Sequence, residues 1–120
     1  MTTRIFSGFQ GSLYNRFLNF KGFMKRFDGA EFVDELTYEA RLNGPDWDIN
    51  KEYIIYHLSG VTIIRKCVWY KAGPEISIEL AGDEKSVDVI KKRILDGAAE
   101  ISHLEDLANE TSEILQKKKL

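Results

Sequence analysis

Apolar and polar side chains alternate with a period of two through much of the region between residues 36 and 81, and this pattern limits the region to β-structure. The alternation predicts strands over 36–42 and 76–81, and runs rich in β-branched and aromatic residues predict two more over 53–59 and 61–71. The second and third strands meet at Gly60 and should form a hairpin. The sequence therefore predicts an antiparallel sheet of about four strands.

The two strands of the predicted hairpin are apolar on both faces. In the first of them Ile54, Tyr56 and Leu58 alternate with Tyr53, Ile55 and His57. Strands of this kind are typical of the centre of a sheet that is covered on both sides. By contrast, the strand over 76–81 has one polar face, which indicates contact with water.

The first 27 residues contain no acidic side chain but are rich in aromatic and basic residues. Their apolar spacing predicts an amphipathic helix over 12–28 with Ser12 as its N-cap. The predicted stripe is Leu13, Phe17, Phe20, Met24 and Phe27. A β-hairpin with turns at Gly8, Gly11 and Gly22 is the alternative, because aromatic residues also favour strands. A stripe of this kind faces a protein core more often than a ligand.

A second helical region follows Gly82, with Asp83 as its predicted cap. An unbroken three-four repeat runs from there to the end of the chain, which is the coiled-coil pattern. Its members are Val87, Ile90, Ile94, Gly97, Ile101, Leu104, Ala108, Thr111 and Leu115. The region is predicted to form one long helix, or two shorter ones that break at Gly97.

These elements predict a single α+β domain over 1–120. It would consist of a basic aromatic segment (1–30), an antiparallel sheet (31–82) and C-terminal helices (83–120). A lone cysteine, Cys67, favours a reducing compartment. No signal-peptide pattern and no apolar run long enough to span a membrane is found in the sequence, so we expect a cytoplasmic protein.

Charge is distributed unevenly along the chain. Residues 1–30 hold five basic and one acidic side chain, whereas the remaining residues hold twelve and eighteen, for a net charge of −2 overall. Nucleic-acid binding is therefore only a local alternative. Its candidate residues are Arg16, Lys21, Lys25, Arg26, Arg65 and Lys66, and salt should weaken such binding steeply.

No phosphate-binding glycine loop, metal-ligand motif or catalytic triad signature is found in the sequence. We therefore expect a protein that is not an enzyme and that needs no cofactor or metal. Cys67 and His57 could form a nucleophilic pair only if they shared one face of the sheet. A further alternative is a ligand pocket at an oligomer interface, lined by Tyr53, His57, Trp69 and Tyr70.

The function that the sequence favours is that of a small regulatory protein which binds a protein partner and itself. Trp47, flanked by Asp46 and Asp48, would anchor the partner, because Trp is enriched at interface hot spots. Phe23 and Arg26 of the basic aromatic segment would add to that surface. The predicted seam of a homo-oligomer consists of Ile101, Leu104, Ala108 and Leu115.

Overall fold

The protein has an α+β fold, as predicted, in which one antiparallel sheet packs against helices. The computed structural model describes residues 2–41, 48–70 and 73–100. Its elements in chain order are β1 (Thr2–Gly8), α1 (Ser12–Leu18), α2 (Phe20–Met24), β2 (Glu31–Arg41), β3 (Asp48–Leu58), β4 (Val61–Tyr70), β5 (Gly73–Ala81) and a third helix, α3, over 84–100.

The sheet has five strands in the order β1-β5-β4-β3-β2, all antiparallel to their neighbours. Four of them match the predicted strands, and β1 is the strand that the sequence pattern did not indicate. Its pairing with β5 shifts register between Arg4 and Phe6. Ile5 and Phe6 then both pack against the core, although they are consecutive. A bulge of this kind removes the period of two that would have revealed the strand.

The hairpin between β3 and β4 is confirmed. Leu58 pairs with Val61, so the turn consists of Ser59 and Gly60 alone. Their φ angles are 49° and 81°. Two positive φ values in a two-residue turn are what a type I′ hairpin requires, and Gly60 adopts this conformation without strain.

Only one face of the sheet is covered by the described helices. The buried cluster joins aromatic residues of α1 and α2 and apolar residues of α3 to alternate residues of the strands, such as Ile54, Ile63 and Ile78. The other face, which we call the open face, includes Leu36, Tyr53, Ile55, Ile64 and Lys66. The sequence predicts that the central strands are covered on both sides. In the part of the chain that the structure describes, helices cover one side only.

The predicted helix over 12–28 is two short helices, because Asn19 interrupts it. Asn19 has φ −97° and ψ 67°, and its side-chain oxygen accepts a hydrogen bond from the Gly22 amide at 3.2 Å. A Cβ at Gly22 would lie 2.6 Å from the Asn19 side chain, so glycine is needed for this contact. The prediction of Ser12 as N-cap is wrong by one residue, since Gly11 holds that position.

The aromatic side chains of the N-terminal segment form the centre of the core. The Phe17 ring lies 5.1 Å from that of Phe6, 5.5 Å from Phe23 and 6.4 Å from Phe20, measured between centroids. Phe20 in turn contacts Tyr56 of β3. Edge-to-face geometry of this kind is favourable beyond the burial of the rings. The stripe in this segment therefore faces the core, and most of its cations face outward.

Helix α3 begins as predicted and packs on the sheet. The Asp83 carboxylate accepts a hydrogen bond from the Ser86 amide at 3.1 Å. That bond lowers the pKa of Asp83 below its ordinary value, which is the effect of an N-cap.

The helix continues through Gly97, so of the two alternatives the one with a break at that residue is wrong. A Cβ at Gly97 would lie 3.0 Å from the Phe27 ring, and close packing explains the glycine. The later repeat positions, from Ile101 onward, lie outside the described residues.

Candidate functional site

A shallow apolar groove crosses β2, β3 and β4 on the open face and extends to β5. Its volume is ≈ 310 Å³, and the residues that line it are Leu36, Tyr38, Tyr53, Ile55, Ile64, Lys66 and Glu79. The aliphatic members are half-buried, whereas Tyr38 is 54% exposed. The described part of the chain does not cover this apolar surface, which is therefore in contact with water.

Strand register brings these residues together. Tyr53 stands opposite Leu36 on one side and Lys66 on the other, and Ile55 stands opposite Ile64. Directly opposed side chains on neighbouring antiparallel strands are about 5 Å apart at Cβ, so they contact one another. The groove is thus built by alternation, because each of its residues occupies the same side of its strand.

Two tyrosines and a lysine give the groove its chemical character. The rings of Tyr38 and Tyr53 meet edge to face with centroids 5.7 Å apart. The Lys66 Nζ lies 5.9 Å from the centroid of the Tyr53 ring, within the range of a cation–π contact. Tyrosines combine a large apolar surface with a polar tip, and this combination is enriched at protein interfaces.

An ion pair with one buried partner lies on the opposite, helix-covered face. Arg65 is 3% exposed and is paired with Glu52 of β3, whose side chain is 31% exposed. Its Nη1 also donates to the carbonyl oxygens of Phe17 and Leu18, each at 3.4 Å. These carbonyls are at the end of α1, where no further turn of the helix donates N–H groups to them. Arg65 therefore fixes α1 to the sheet.

The six cations of the nucleic-acid alternative do not form one surface. Arg65 is buried, Lys66 lies on the open face, and Lys21 pairs with Glu35 of β2, which raises the pKa of Lys21. The remaining three, Arg16, Lys25 and Arg26, lie on or just after the short helices. A phosphate backbone could not contact all six at once.

The residues predicted to bind a partner are separated as well. Phe23 is 4% exposed and belongs to the core, so its ring cannot reach a partner. Arg26 is exposed and lines a second depression of ≈ 370 Å³ with Phe27 and Arg93. Asp48 is the first residue of β3. Its side chain lies outside the described part of the structure, as do Asp46, Trp47 and the seam residues Ile101, Leu104, Ala108 and Leu115.

Of the residues in the predicted ligand pocket, only Tyr53 lines the groove. His57 is exposed at one end of β3, and Trp69, 46% exposed, lies near the opposite end of the sheet. Tyr70 instead contacts Phe9, with ring centroids 6.3 Å apart. The structure thus does not assemble these four side chains into one pocket.

Cys67 and His57 lie on opposite faces of the sheet. The two-residue turn pairs odd-numbered residues of β3 with even-numbered residues of β4, so His57 pairs with Thr62 and Cys67 with Glu52. Cys67 faces the core, and burial raises the pKa of its thiol. A buried thiol of this kind is a poor nucleophile.

Five residues that line the groove are not among the functional candidates predicted from the sequence: Leu36, Tyr38, Ile55, Ile64 and Glu79. The signal that could have identified them was present, because β3 and β4 are apolar on both faces. The missing information was which face the helices would cover.

No group of three potential metal ligands occurs in the described residues. None of the helices in that same part of the chain is long and apolar enough to cross a membrane. Searches of protein-family models, of curated proteins and of solved structures found no match to this chain.

Proposed function

We propose that this chain is a non-catalytic binding protein that acts through protein–protein contacts, self-association among them, and that its docking surface is the open face of the sheet. The observation that supports the proposal is the apolar groove over β2, β3 and β4. Burial of such side chains is the main favourable contribution to protein association.

The pattern of β3 and β4 supports the same proposal. Strands that are apolar on both faces require a cover on both faces, and the described helices supply only one. A protein docked on the open face would supply the second cover. The groove is open and has no enclosed cavity, which suits a protein surface better than a small molecule.

Ile55→Asp tests this proposal, because it places a carboxylate in the middle of the groove. We expect the wild-type chain to associate and the variant to dissociate at least about thirtyfold more readily, as for loss of an interface hot spot. Sedimentation equilibrium across a range of concentrations measures both dissociation constants.

Val89→Asp is the matched control, since Val89 is 60% exposed on α3, away from the groove. This variant should associate like the wild type. A second variant, Leu104→Asp with Leu115→Asp, examines the C-terminal seam, which stays a prediction. If only this second variant dissociates, the seam is the interface and the open face is not. A wild type that remains monomeric at all concentrations would contradict self-association.

A further inference from the structure

Four charged side chains on β2, β3 and β4 of the open face are sorted along the strands. Lys66 stands opposite Tyr53, and Lys51 lies two residues before Tyr53, towards the start of β3. We call these two lysines the lysine end. Asp34 stands opposite Ile55, and Glu31 stands opposite His57, towards the end of β3. We call these two the carboxylate end. The apolar centre of the groove lies between the two ends.

None of these four charges makes an ion pair within the described residues. The Asp34 carboxylate accepts a hydrogen bond from the neighbouring Glu35 amide at 2.8 Å, and the Lys66 ammonium lies over the Tyr53 ring.

Two carboxylates of β5 are on the same face. Glu79 pairs with Arg4 at 3.0 Å, and Glu75, which lies level with Lys51, accepts a hydrogen bond from the Ser7 hydroxyl at 3.5 Å. With Glu75 counted, the lysine end still has an excess of positive charge and the carboxylate end an excess of negative charge, so the two ends offer opposite charges to a docking partner.

We infer that a second copy of this chain docks on the open face, related by a two-fold axis that lies in the interface and runs across the strands. Such an axis reverses the strand direction, so the lysine end of each copy meets the carboxylate end of the other. Symmetric dimers use one self-complementary patch in this way. The inference rests on the proposed function and specifies its partner.

The size of the open face is adequate for this partner. Five strands spaced by about 4.8 Å give a width of about 24 Å, and seven or eight residues at about 3.3 Å give a length of about 25 Å. The resulting area of about 600 Å² is close to the roughly 800 Å² per partner of a standard interface. Two sheets packed face to face form the layered core of many proteins.

The alternative two-fold axis, parallel to the strands, is unfavourable. It would set the lysine ends of the two copies against each other and the carboxylate ends likewise. Like charges brought together at an interface oppose association. The charges therefore favour the axis that runs across the strands. They also favour a partner that carries the same charges in the same order, which is a second copy of this chain.

Charge reversal separates these arrangements. One variant changes Lys51→Glu and Lys66→Glu, another changes Glu31→Lys and Asp34→Lys, and a third carries all four substitutions. We expect each double variant to dissociate about tenfold more readily than the wild type, because each pairs like charges at both ends. The fourfold variant restores opposite charges and should regain most of the affinity. Sedimentation equilibrium at low salt is the measurement.

Lys85→Glu with Lys92→Glu is the control for the variant of the lysine end, because it makes the same change in net charge on the exposed side of α3. It should leave the dissociation constant unchanged. The wild type could associate while the double variants keep its affinity, or while the fourfold variant regains none of the lost affinity. Either result overturns the two-fold arrangement but leaves the proposed function standing. A monomeric wild type overturns both the two-fold arrangement and the self-association in the proposed function, and leaves the open face to a different protein.

Discussion

Phe17→Ala lowers the free energy of unfolding by about 3–5 kcal/mol, the cost of removing a fully buried phenylalanine from a packed core. The Phe17 ring contacts three other rings, those of Phe6, Phe20 and Phe23. None of these belongs to a flexible surface that could collapse into the space left behind. Because a domain of this size is stabilised by only about 5–15 kcal/mol, the variant should be barely stable.

Phe9→Ala is the matched control, since Phe9 is a half-exposed phenylalanine of the same segment. It should cost about 0.5 kcal/mol or less. Denaturant unfolding of both variants at one low protein concentration gives the comparison, because association would otherwise add to the stability. Equal effects of the two substitutions would mean that the aromatic segment is not the core of the fold.

Arg65→Ala is expected to lower the free energy of unfolding by about 2–3 kcal/mol, because it removes a buried guanidinium together with its ion pair and hydrogen bonds, although Glu52 stays partly hydrated. Glu52 would lose its cation. The carbonyl oxygens of Phe17 and Leu18 would lose their donor as well. Substitution by methionine should be less harmful than substitution by alanine, since methionine fills most of the space.

Arg4→Ala provides the comparison for Arg65, because Arg4 pairs with Glu79 on the exposed edge of the sheet. Exposed pairs contribute about 0–1 kcal/mol. Denaturant unfolding should therefore show Arg65→Ala as clearly the more harmful of the two. Should both arginines prove equally dispensable, the role of Arg65 in fixing α1 to the sheet would be refuted.

The central part of the sheet could be predicted from the sequence, because its signals are local. Runs of β-branched and aromatic residues identify β3 and β4, and two residues, Ser59 and Gly60, set their register. The Asp83 cap is likewise a local signal. β1 was missed because its bulge places Ile5 and Phe6 on the core together, and this depends on pairing with a strand about 70 positions later.

The division of the N-terminal helix and the role of Gly97 could not be predicted from spacing. Asn19 ends one helix and begins the next, where its side-chain oxygen accepts a hydrogen bond from the Gly22 amide, and apolar spacing does not reveal such a bond. Gly97 resembles a helix breaker until the Phe27 ring is placed against it. Both cases depend on the space around a glycine, which only the folded chain defines.

The second apolar face of the central strands was predictable from the sequence, but which face the helices leave open was not. That the chain binds a partner stays a prediction. The predicted partner surface, anchored by Trp47, included Phe23, although the apolar stripe of that segment is used for the core. The open face became identifiable only when the helices were seen to pack on one side, which left Tyr53 and Ile55 on the other.

Cross-linking through a cysteine in the groove tests the central claim most directly. Ile64→Cys places a thiol in the centre of the open face, whereas the native Cys67 is buried on the opposite face and should not react. With a short bifunctional maleimide we expect Ile64→Cys to form covalent dimers at concentrations where Val89→Cys does not. If Ile64→Cys is labelled but yields no more dimer than Val89→Cys, the open face is not where this chain meets its second copy.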